Sequence, residues 1–233
     1  MYNNLKKFTK TTLNMYGKYK IQKHGFWFID IPRTSSSSIR LDLGQYYGVP
    51  YSKNNILKTQ ISSPYKIYHD HLPGKEIKEK LGSELWDRLF TFTFVRNPWD
   101  RILSFYYYRI KCNEIPSSLT FREYVLSLKN KQLGKYGLPL NSHEYKNCAD
   151  YILEDNNKII VDYIGRYETR EKDLNTIAKK IGCNQIGNLP FNKATPSNIN
   201  YSKYFDSEIT TIIERIYLKD ITMFDNTYSD THE

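Results

Sequence analysis

"FWFIDIPRTSSSSIRLDLGQYYG", residues 26–48, passes from an apolar run through one proline, one arginine and five consecutive hydroxyl residues into a helical pattern. The segment "GFWFIDI" (25–31) has the length and continuity of a buried strand. Downstream, Ile39, Leu43 and Tyr46 fall on a helical period, and Gly48 and Pro50 end it. A strand that turns sharply into a helix gathers unpaired amides and the positive end of the helix dipole at one point, which suits a phosphate. Arg33 would stand beside that anion, and Thr34, Ser35, Ser36, Ser37 and Ser38 could donate hydrogen bonds to its oxygens. A serine-rich surface turn, with one serine capping the helix, accounts for the same residues. The loop holds no glycine, so it is neither a GxxxxGK[ST] nucleotide loop nor a GxGxxG dinucleotide fingerprint.

Outward from this junction, short apolar runs alternate with helical patterns, which predicts an α/β fold. "KIYH" (66–69), "LFTFTFVR" (89–96) and "VDYIGRY" (161–167) read as further strands. After the second of these, Asn97 as N-cap and Pro98 at the first helical position begin a helix to about Lys111. Helices are also expected at 120–129, 170–181 and 206–219, and residues 184–204 read as a long loop. With 233 residues and no linker-like stretch, one domain is expected.

Two further segments carry candidate chemistry. Arg96 ends a strand and Ser104 lies two turns into the following helix, so both could face one ligand at the carboxyl edge of a sheet. A surface salt bridge for Arg96 and close packing for Ser104 are the plain alternatives. In "YHDHLPG" (68–74), His69 and His71 occupy alternate positions, which point the same way in extended chain. No third ligand of matching spacing accompanies them, so a general base fits better than zinc.

The formal charge of +9, with 21 tyrosines, favours a phosphorylated, sulfated or otherwise acidic partner. Cys112, Cys148 and Cys183 lie far apart without CxxC spacing, which argues against a disulfide framework or structural zinc. The N-terminal stretch is too polar for a signal peptide, and no run of about 18 apolar residues is present, so a soluble, cytoplasmic protein is expected.

Taken in order, "IPRTSSSSIR", "YHDHLP" and "FVRNPWDRILSFYYY" resemble the 5′-phosphosulfate loop, the catalytic-histidine segment and the 3′-phosphate segment of the carbohydrate sulfotransferases. That group includes the heparan sulfate 2-O- and chondroitin 4-O-sulfotransferases. "VDYIGRYETREKDLNTIAKKIG" (161–182), "LPFNKATPSN" (189–198) and "LKDITMFDN" (218–226) are similar to later landmarks, so the likeness spans about 25–226. It implies a P-loop-like fold with a central parallel sheet flanked by helices. It also implies sulfuryl transfer from 3′-phosphoadenosine 5′-phosphosulfate (PAPS) to a hydroxyl, with 3′-phosphoadenosine 5′-phosphate (PAP) as product and no metal.

The same likeness assigns roles. Arg33 takes the place of a residue that is lysine in many relatives and neutralises the leaving phosphate. Thr34, Ser35, Ser36, Ser37 and Ser38 would bind the 5′-phosphosulfate, Arg96 and Ser104 the 3′-phosphate, and Tyr167 the adenine, unless Tyr167 is a core residue. Asn192 and Lys193 would cover the donor. His71 would be the base and His69 its neighbour. A carbohydrate or glycolipid acceptor is implied, with residues 49–66, 112–160 and 184–204 as its walls, and no nucleic acid. Two other readings stand beside this one: a kinase-like phosphoryl-transfer enzyme, and a non-catalytic basic module that binds glycan or nucleic acid.

Overall fold

A computed structural model describes residues 18–19, 21–46, 71–138, 141–183 and 199–228. The elements in chain order are β1 (Phe26–Ile29), α1 (Ser36–Tyr46), α2 (Gly74–Leu81), α3 (Ser83–Trp86), β2 (Phe90–Val95), α4 (Pro98–Lys111), α5 (Phe121–Lys129), β3 (Tyr163–Arg166), α6 (Arg170–Ile181), α7 (Ser207–Ile216) and α8 (Leu218–Phe224). The fold is α/β with a three-stranded parallel sheet flanked by helices. The described residues form two compact units: those within 1–31, 35–94 and 151–190 make one, and those within 32–34, 95–150 and 191–233 the other.

In the first unit the strand order is β1-β2-β3, with Phe26 opposite Phe90 and Ile29 opposite Thr93. All four β1 residues are buried, as befits a parallel strand covered on both faces. The rings of Phe28 and Phe92 stack at 5.3 Å, and the Thr93 hydroxyl donates to the Ile29 carbonyl at 2.7 Å. Gly165 lies so close to the Phe94 ring that a Cβ would meet it at 2.7 Å, which is why the middle of β3 has no side chain. Helix α6 packs on β3. Helices α2 and α3 were not expected from the sequence, since Ile77 and Leu81 alone mark the buried face of α2 along with Gly74. The strand expected at 66–69 lies outside the described residues.

The second unit is helical. Asn97 accepts a hydrogen bond from the Trp99 amide, Pro98 opens α4, and Thr120 with Glu123 forms a full capping box on α5, so both helix starts follow from local chemistry. Helix α7 packs on α4 and α5, and Phe121 makes edge contacts with Tyr106, Tyr204 and Phe205. The interior also holds a carboxylate. Glu144 accepts from Arg109 Nε and Nη2 at 2.7 and 3.0 Å and from the Tyr124 hydroxyl at 3.0 Å, while Tyr217 donates to the Glu144 carbonyl at 2.6 Å. The helix expected over 206–219 divides at Tyr217 into α7 and α8. Among the described residues, no helix is long and apolar enough to cross a membrane.

Candidate functional site

The junction after β1 is built from strained backbone. Arg33 has φ +66° and Ser35 φ +72°, left-handed conformations that cost a non-glycine residue about 1–3 kcal/mol each. Alternating left-handed residues turn successive amides into a concave anion-binding surface.

Two arginines fix the first part of this loop by its carbonyls. Arg96 Nη1 donates to the Arg33 carbonyl at 3.0 Å, and Arg101 Nε donates to the Pro32 carbonyl at 3.2 Å. Arg101 is itself buried, donates to the Lys146 carbonyl at 2.9 Å and lies 3.9 Å from Asp220. The Arg33 side chain donates from Nε and Nη2 to the Ser104 hydroxyl and lies 4.6 Å over the Tyr108 ring. Arg96 also pairs with Asp100 at 2.7 Å, and Tyr201 donates to the other Asp100 oxygen at 2.7 Å. Arg96 is only 6% exposed, so this is a buried ion pair in place of the surface salt bridge considered from sequence. Arg33, Arg96 and Ser104 are thus brought together. The direct side-chain contact of Ser104 is with Arg33.

The second part of the loop opens α1. The Ser35 carbonyl accepts from the amides of Ser38 and Ile39 at 3.0 and 3.1 Å, and the amides of Ser36 and Ser37, which come before them in the first turn, have no intrahelical acceptor. Thr34, Ser36 and Ser38 are buried, Ser37 is exposed. The Ser35 hydroxyl is buried and makes no hydrogen bond among the described residues, so it does not serve as the capping group of the helix. A buried hydroxyl without a partner is a cost that a ligand oxygen would remove.

His71 is anchored to the end of β1. Its Nδ1 lies 3.1 Å from Asp30 Oδ1 and 3.2 Å from the Asp30 carbonyl, and Arg40 Nη1 lies 3.0 Å from Asp30 Oδ2. Burial, the largest influence, would lower the imidazole pKa. The hydrogen bonds and charge of Asp30 outweigh it, and the net shift is upward. His71 has φ +55°, so its backbone is left-handed and not the extended chain on which the alternate-position reading relied.

Tyr167 is half-buried just past β3, its carbonyl accepting from the Arg170 amide at 3.4 Å. His69, Asn192 and Lys193 lie outside the described residues. Three residues were missed from sequence: Asp30, Asp100 and Arg101. The signal for Asp30 was present, because an acid at the end of a buried apolar strand must find a charged or hydrogen-bonding partner.

A stretch of 127 residues, 54% of the chain, is 32% identical to an uncharacterized protein of Archaeoglobus fulgidus and covers 96% of that protein. No solved structure matches the chain. Residues 21–229, which take in every element from β1 to α8, match the sulfotransferase family, and on that match the chain belongs to it.

Proposed function

We propose that the protein is a PAPS-dependent sulfotransferase that moves a sulfuryl group to a hydroxyl of a carbohydrate or glycolipid, and that both units serve as one catalytic domain. The observation that carries this reading is the glycine-free loop at 32–38, left-handed at Arg33 and Ser35, tied by arginines at the Pro32 and Arg33 carbonyls, and carrying at Ser35 a buried hydroxyl with no partner among the described residues. Such a loop suits an anionic group, and family membership supports a phosphosulfate in that place.

Arg33 would neutralise the charge that grows on the bridging oxygen as it leaves. Its planar fork in place of a lysine point charge still supplies that charge. Thr34 and Ser35–Ser38 would hold the 5′-phosphosulfate by amides and hydroxyls. Arg96 and Ser104 would hold the 3′-phosphate, with Tyr167 near the adenine and Asn192 and Lys193 over the donor. His71 would take the acceptor proton, with His69 beside it. Sulfuryl transfer, like phosphoryl transfer, proceeds through a loose in-line transition state, so positioning and charge supply most of the rate.

Calorimetry with PAP and with ATP tests the reading, followed by transfer of ³⁵S from labelled PAPS to a panel of desulfated heparin, chondroitin and glycolipid. PAP should bind, ATP should not compete with it, and one panel member should take up label. Binding of ATP in preference to PAP would make the protein a phosphoryl-transfer enzyme. Cofactor-independent, salt-sensitive binding of the polysaccharides, with no uptake of label, would make it a binding module.

A further inference from the structure

Asp30 follows β1 directly, and its side chain is 1% exposed. An ionised carboxylate at such a place is costly unless it is paired. Among the described residues, Arg40 of α1 meets it at Oδ2 and His71 at Oδ1, from different parts of the same unit. Both oxygens facing His71 Nδ1, the carboxylate Oδ1 and the Asp30 carbonyl, can only accept hydrogen bonds. Nδ1 therefore carries a proton, and the neutral ring has its lone pair on Nε2. The left-handed backbone at His71 belongs to this arrangement, since strain of that kind persists only where surrounding contacts hold it.

We propose that Asp30 is a positioning residue for sulfuryl transfer: it fixes His71 in the tautomer whose Nε2 takes the acceptor proton, and its charge steadies the imidazolium that results. This rests on His71 being the base. In the step, His71 Nε2 takes the proton of the acceptor hydroxyl and a lone pair of that oxygen forms the new O–S bond. The S–O bond to the 5′-phosphate breaks with its electron pair on the bridging oxygen. The products are a sulfate ester, PAP and an imidazolium that later returns its proton to water. A neutral ring beside an anion becomes a cation beside an anion during the step, so the attraction grows as the transition state is reached. Arg40 occupies Oδ2, which favours the ionised carboxylate and leaves Oδ1 to the histidine. Among the described residues, Asp30 favours protonation of His71 and Arg40 opposes it.

The test combines ¹⁵N spectra of the wild-type histidines with transfer kinetics of Asp30→Asn, using the panel polysaccharide that takes up most label. The wild-type spectrum should show His71, when neutral, protonated at Nδ1 and bare at Nε2. Asp30→Asn should lose about 100-fold in kcat, the scale of a mis-set base, while PAP affinity stays that of the wild type. Its rising pH limb should move to lower pH, because the group that raises the imidazole pKa has gone. Adding Asp30→Asn to His71→Ala should cost nothing further.

A wild-type His71 protonated at Nε2 would overturn the proposal, and this readout needs no variant to fold. An unmoved pH limb in Asp30→Asn, or losses that add to those of His71→Ala, would overturn it too. A His71→Ala protein that transfers at the wild-type rate would instead overturn the base itself, whatever the tautomer.

Discussion

Arg33 and Ser104 are locked together: the guanidinium donates to one hydroxyl oxygen from both Nε and Nη2, at 3.1 and 2.9 Å. They stand 71 residues apart in the chain, yet the contact sets the direction of the arginine fork. If that fork serves the leaving phosphate, its charge matters most in the transition state. Arg33→Ala should therefore lower kcat more than it lowers PAP affinity. Steady-state rates and calorimetry on the same protein decide this, and a defect confined to affinity contradicts it.

Arg96 has a structural task as well as a proposed one. Arg96→Ala should weaken PAP by about 1.5–3 kcal/mol more than it weakens adenosine 5′-phosphate, which lacks the 3′-phosphate. It should also lower the melting temperature, because Asp100 loses its buried partner. Equal losses for the two nucleotides would leave Arg96 with the structural task alone.

A base must be neutral to accept a proton, so turnover should rise with pH through the His71 pKa. Asp30 lifts that pKa against burial, which puts the midpoint of the rising limb above the ordinary histidine value of about 6.5. His71→Ala should lose about 100-fold in kcat, with PAP still bound. A pH profile that survives the substitution would move the base elsewhere.

Glu144 gives the helical unit a pH dependence of its own. Burial would raise its carboxyl pKa, but the hydrogen bonds and charge of Arg109 prevail and hold it low. The resulting stability is present in full above the unfolded carboxyl pKa and is lost as pH falls through the lower folded value. Glu144→Gln should cost about 3 kcal/mol at pH 7 in urea unfolding, since it removes one partner of a buried pair. The gap should narrow as pH falls below about 4.5. A gap that keeps its size in acid would show that charge is not what Glu144 contributes.

The starts of α4 and α5 were legible because Asn97, Pro98, Thr120 and Glu123 act within a few residues of themselves. Strand β1 was legible because all four of its residues are apolar and buried. The break between α7 and α8 was not, since the Tyr217 hydroxyl bonds the Glu144 carbonyl 73 residues away. The site divides in the same way. The candidate arginines and serines are picked out in the sequence by their place at strand-to-helix junctions, but Asp30 meets His71 across 41 residues and the left-handed turn at His71 has no local signature. Nor does composition tell which arginine Ser104 accepts from.

Arg33 and Ser35 reach left-handed backbone without glycine, in a loop tied down at two carbonyls. Glycines at those positions would relieve the strain and let the segment wander, and each arriving ligand would have to gather it again at an entropic cost. In this chain the gathering happens once, when the molecule folds. A ligand that bound there would inherit it.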